Sequence, residues 1–130
     1  MSVSLSVDVF SVDENGKMLE VCDVPEGCSD LAGFESWRMT VWGSDAVRAL
    51  SAQFFPRLAE ADLYVAPGQV QSFLEECALL RSNLGVISQG SAASALGREL
   101  DQEEVVSWRL ANIEAAAQRA LRVGGGVVVW

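Results

Sequence analysis

The first residues alternate. Val3, Leu5, Val7 and Val9 are separated by Ser and Asp, and from Phe10 to Val12 the apolar phase moves to even positions. Period-two alternation predicts a strand over residues 2–12, and the change of phase predicts a bulge or an exchange of faces near Val9-Phe10. Asp13-Glu14-Asn15-Gly16-Lys17 follows. Asn-Gly is a strong hairpin signal, so Met18–Val24 is expected to return as a second strand, ended by Pro25-Glu26-Gly27. Residues 28–33 read as loop. Phe34–Trp42 is predicted as a third strand, with Trp37, Met39 and Val41 on one face and Arg38, Thr40 and Trp42 on the other.

The period then lengthens. Gly43 breaks the strand, Ser44 can cap a helix, and Val47, Leu50, Phe54 and Leu58 share a helical face that Pro56 limits. Asp62–Ala66 is short and extended. Pro67 suits the first position of a second helix, whose apolar stripe is Val70, Phe73, Leu74, Cys77 and Leu80. Residues 85–97 hold Gly, Ser and Ala and read as a loop, with a helical turn weighed at 92–96. Asp101 with Glu104 forms a capping-box pattern ahead of a third helix. Val106, Leu110, Ile113, Ala117 and Leu121 face inward along it, and Arg119 and Arg122 suit its C-terminal dipole. Gly124-Gly125-Gly126 stops that helix. Val127–Trp130 is wholly apolar and is expected to be a strand covered on both faces.

The predicted order is β-β-β-α-β-α-α-β. Strands first and helices later predict an α+β fold, with a mixed, largely antiparallel sheet and helices packed on one face. The 130 residues, half of them apolar, fit a single domain spanning 1–130. No stretch approaches the apolar length of a membrane span, and the N-terminus has no basic, continuous-apolar leader. The three cysteines, Cys22, Cys28 and Cys77, are odd in number and lack C-x-x-C spacing, so a cytoplasmic, reduced protein is expected.

Charge changes the picture most. The formal net charge is −9, and residues 8–35 hold eight acids against Lys17, a net of −7 that leaves −2 for the remainder. Such a surface repels phosphate backbones and anionic membranes, so neither nucleic acid nor membrane is an expected partner. A basic protein partner would be attracted. The candidate contacts are Asp13, Glu14, Glu20, Asp23, Glu26 and Asp30, with Trp42 as an aromatic anchor. The plainer explanation is a solvated acidic surface that maintains solubility. Trp108 lies off the inward stripe of the third helix; it is either a second anchor or a cover for a helix seam.

There is no histidine. This removes Ser-His-Asp and Cys-His catalysis and histidine-based zinc sites. Glu75-Glu76 and Glu103-Glu104 are adjacent, and helical neighbours point about 100° apart, so neither is read as an acid-base pair. The Asp13 turn lacks the spacing of a calcium loop, with Gly fourth. The Gly/Ser segment at 90–97 lacks the G-K-[ST] of a phosphate loop. Cys28 sits among carboxylates that disfavour a thiolate. No catalytic residue, metal site or cofactor is expected.

Asp62-Leu63-Tyr64-Val65-Ala66-Pro67, then Val70, Phe73-Leu74-x-Glu76 and Leu79-Leu80, then Gly125-Gly126-Val127-Val128-Val129-Trp130, resembles small bacterial immunity-type proteins of polymorphic toxin systems. The likeness runs over about half the chain, from Asp62 onward. It implies a cytosolic, non-catalytic, acidic protein that binds one toxin, and it transfers no contact residue by position. Three functions are therefore carried forward: a non-catalytic binding module that neutralises a basic toxin domain; a self-associating structural subunit, such as a homodimer; and a carboxylate- and metal-dependent enzyme.

Overall fold

The computed structural model describes residues 4–22, 24–89 and 99–130, and within these the side chains of 88, 89 and 99–102 are left aside. Strand β1 (Ser4–Val12) is the spine of the sheet. On one side it pairs antiparallel with β5 (Gly126–Val129), and β5 pairs antiparallel with β4 (Leu63–Val65). On the other side β1 is shared: its C-terminal part pairs with β2 (Met18–Val21), and its N-terminal part with β3 (Leu31–Phe34). Every pairing is antiparallel, which realises the expected α+β fold.

Alternation along β1 sorts its side chains. Leu5, Val7 and Val9 enter the main core with Val127 and Val129 of β5 and with Leu63 and Val65 of β4. The helices cover this face. Helix α4 (Glu99–Val123) lies against β1, β3 and β5, and α2 (Val70–Arg81) and α3 (Leu84–Gln89) lie against α4. The opposite face carries Asp8, Phe10, Tyr64, Val128 and Trp130. Val128 is buried on that side too, so β5 is covered on both faces as its composition demanded. Phe10 lies directly across from Gly126, where any Cβ would strike the Phe10 ring and the Val65 carbonyl. The burial of Phe10 thus comes from a cross-strand glycine. The irregularity expected near it falls one step later, at Ser11-Val12 in the pairing with β2.

Four expectations are corrected. Phe34–Trp42 is not a strand. The third strand is Leu31–Phe34, which takes its first three residues from the segment read as loop and ends at Phe34, where the predicted strand begins, and Arg38–Trp42 forms a π-helical turn. Trp37, Val41 and Trp42 are buried while Met39 is 67% exposed, a helical rather than alternating pattern. The predicted helix after Ser44 is one turn, α1 (Asp45–Arg48), capped as expected by Ser44. Ser51 takes φ 66° and turns the chain into a 3₁₀ segment, Phe55–Ala59, so Phe54 and Leu58 reach the core by a different route. Third, helical structure at Leu84–Gln89 replaces the start of the predicted loop, with Ile87 buried; the helical turn weighed at 92–96 lies outside the described residues. Helix α4 begins at Glu99, so Asp101 is inside it and not at its cap.

The end of α4 follows its sequence. Gly124 adopts φ 70° and the Gly125 N–H donates to the Ala120 carbonyl at 2.9 Å. This left-handed closure satisfies a terminal carbonyl and reverses the chain into β5.

Candidate protein-binding surface

The β1–β2 hairpin is built by Asp13. Its Oδ1 accepts from the N–H groups of Asn15 and Lys17, each at 2.9 Å. This is an Asx turn, and it commits the half-buried carboxylate to the backbone. Glu14 at the tip and Glu20 on β2 are exposed. A second turn, closed by the Cys28 N–H donating to the Pro25 carbonyl at 3.0 Å, exposes Glu26. Asp30 is half-buried, and its carbonyl accepts from the Val7 N–H at 2.8 Å, which fixes the approach to β3. Asp23 lies outside the described residues. Among the described residues, Glu14, Glu20, Glu26 and Asp30 form no ion pair; the pairs present are Arg38 with Glu35 and Asp62, and Arg81 with Glu114. The acidic segment therefore keeps its field.

Trp42 does not belong to this surface. It is fully buried, and its indole N–H donates to the Ala32 carbonyl at 2.9 Å. It joins an aromatic chain: Trp37 at 5.7 Å between ring centroids, Phe55 at 5.1 Å, and Phe73 beyond at 5.3 Å from Phe55. The most exposed tryptophan among the described residues is Trp108, at 68%. With Leu31, Ala111, Asn112, Arg109 and Ser29 it lines an open groove of about 320 Å³ between α4 and the acidic loop. Asn112 Nδ2 donates to the Leu31 carbonyl at 2.9 Å and ties the helix to that loop. Trp108 is thus an exposed aromatic flanking the region of highest negative charge.

Two carboxylates on the helices are structural. Glu76 is buried on α2 and accepts from the backbone N–H groups of Gln53, of Phe54 at 2.9 Å and of Phe55 at 2.8 Å. It satisfies the donors that open the 3₁₀ segment. Glu114 holds Arg81 through Oε1 at 2.7 Å, and the Arg81 guanidinium also reaches Ser107. That carboxylate contact raises the Arg81 pKa above its ordinary value. Burial pushes the Cys77 thiol well up, out of the nucleophilic range, with the charges of Glu114 and Glu76 adding to it. Cys28 is exposed and Cys22 half-buried. Among the described residues, no three Cys, Asp or Glu side chains converge where they could hold a metal ion. No described helix is long and apolar enough to cross a membrane.

Sequence reasoning missed the outer face of the sheet. Tyr64 is 48% exposed and Trp130 is 38% exposed, and the Trp130 indole N–H donates to Asp8 Oδ2 at 2.9 Å. The signal lay in alternation at 63–65 and 127–130, but strand order was needed to bring the two segments beside Asp8. No family model, curated protein or solved structure matches the chain.

Proposed function

We propose that this chain is a non-catalytic, cytoplasmic protein-binding module that takes a basic protein partner on its acidic surface, with neutralisation of a cationic toxin domain as its specific role. The reading is supported chiefly by one observation: three exposed carboxylates, Glu14 at the hairpin tip, Glu20 on β2 and Glu26 on the turn that follows, form no ion pair among the described residues. Unpaired like charges on tight turns contribute little to a fold. They attract an oppositely charged surface and accelerate encounter, while aromatic contacts slow dissociation. Trp108 beside the acidic loop supplies such a contact.

The test is affinity capture from the native cell with the natural chain and with a Glu14→Gln, Glu20→Gln, Glu26→Gln variant, followed by association kinetics on the captured protein. The natural chain is expected to associate about 10- to 100-fold more slowly as salt is raised from low to high ionic strength, and the variant to begin slow and respond weakly. An on-rate that is flat across salt in the natural chain removes the acidic surface as the interface.

Self-association is the second reading, favoured by the short edge strand β2, where Leu19 is 63% exposed. Sedimentation separates the two: a strict monomer at micromolar concentration eliminates the self-associating subunit.

A further inference from the structure

The outer face of the sheet carries a chemistry distinct from the acidic turns. Asp8 and Tyr64 both pair with Val128, one from each side, so the three form a single row across β1, β5 and β4. Two strand spacings separate Asp8 from Tyr64, about 10 Å. Trp130 stands two residues along from Val128 on the same face, and Asp8 holds its indole by the N–H. The described helices α2, α3 and α4 pack on the other side, where Leu5, Val7 and Val9 enter the main core. Phe10 and Val128 are buried there yet lie outside the main core, while Tyr64 and Trp130 are exposed.

A carboxylate holding one half-exposed aromatic ring, with a second such ring across the same sheet face, is a set of groups that recognises a guanidinium- or ammonium-bearing segment. The ring faces attract the cation through their quadrupoles, and the carboxylate adds a charge-assisted hydrogen bond. Asp8 accepts the indole N–H at one oxygen and, among the described residues, pairs with no cation. Accepting that bond orders the Trp130 ring before any ligand arrives, which lowers the entropic cost of binding. The face offers no complement to a second copy, since the chain carries −9 overall and would meet itself with like charge. The geometry points to this face, Asp8 with Tyr64 and Trp130, as the docking site for an arginine- or lysine-bearing segment of a partner protein. This rests on the basic-partner reading above and assigns the place where a cationic side chain is gripped, apart from the turns that steer it.

The experiment is an amide and indole NMR titration of the full chain with a hexa-arginine peptide at physiological salt. The Trp130 indole resonance and the Asp8 and Tyr64 amides are expected to shift together. Asp8→Asn, which keeps an acceptor for the indole, and Tyr64→Ala, at an exposed position, should each weaken the interaction about tenfold. Glu14→Gln with Glu26→Gln should leave the Trp130 shift in place. Shifts confined to Glu14, Glu20 and Glu26 overturn the docking site while leaving the basic-partner reading intact. No shift at either place overturns the site as well, and the salt dependence of the captured partner then decides the broader reading. A dimer in sedimentation that Tyr64→Ala dissociates also overturns it, because the face then serves a second copy.

Discussion

Glu76 and Cys77 are neighbours on α2, both buried, and physical chemistry treats them differently. The Glu76 carboxylate accepts three backbone N–H groups from 53–55, so neutralising it leaves donors short of a charged acceptor. Glu76→Gln is expected to lower stability by about 3 kcal/mol in denaturant unfolding, against less than about 0.5 kcal/mol for the exposed Glu75→Gln. Equal effects would show that Glu76 does not anchor the 3₁₀ segment. Cys77 bears on stability at alkaline pH. Below about pH 8.5 its thiol is protonated in folded and unfolded chains alike. Above that, the unfolded chain loses the proton and the folded one keeps it, because burial raises the folded pKa. Its contribution to stability is therefore complete at neutral pH and falls by up to about 1.4 kcal/mol per pH unit above about 8.5. Cys77→Ala should flatten the loss of stability between neutral and alkaline pH; an unchanged slope would place its source elsewhere. The Cys77 environment was readable from the stripe of Phe73, Leu74 and Leu80. That of Glu76 was not, since its donors lie more than twenty residues earlier and adjacent acids on a helix look solvated.

Elements were legible where local pattern and tertiary demand agreed. The hairpin, β4, the Pro67 entry to α2 and the stop at Gly124 all follow from turn chemistry and period. The stretch from Phe34 to Ala59 did not agree. Trp37, Val41 and Trp42 are spaced for one helical face, but Thr40, Val41 and Trp42 carry strand propensity, and the burial of Trp37 against Trp42 and of Trp42 against Phe55 decides for a π turn. The short α1 has a backbone cause that no stripe reveals: Ser51 at φ 66°. A left-handed conformation disfavours side chains with a Cβ, and β-branched ones most. Ser51→Gly is expected to raise stability by about 0.5–1 kcal/mol, and Ser51→Val to lower it by more than 1 kcal/mol or so, both read from thermal unfolding. If Ser51→Gly destabilises, entropy lost by the glycine outweighs the relief of strain, and the joint is held by something other than its dihedral angle.

At the scale of the whole molecule, the uneven field was visible in the sequence, while the division of labour among its acids was not. Asp13 turns out to build a hairpin, Trp42 fills the core, and Asp8, one acid among eight, pins an aromatic ring on a face that exists only once β1, β5 and β4 are ordered. Within residues 8–35, the acids left exposed and without an ion pair among the described residues are Glu14, Glu20 and Glu26, on the β1–β2 hairpin and the turn after it, and like charges on one stretch of surface oppose folding. That repulsion is screened within a Debye length, about 10 Å at 0.1 M salt and about 30 Å at 0.01 M. Stability should therefore rise by about 1 kcal/mol between low and moderate salt, measured by urea unfolding so that the denaturant adds no ions of its own. The Glu14→Gln, Glu20→Gln, Glu26→Gln variant should be more stable than the natural chain at low salt and nearly insensitive to added salt. A surface that served solubility alone would not need its charge crowded where it destabilises the fold, whereas a cationic partner relieves the same repulsion that salt does. The expected pairing is consequently a gain in stability with a loss in association rate in one variant. If the variant is no more stable than the natural chain at low salt, the carboxylates are too well solvated to repel one another, and the argument from crowding to partner fails with them.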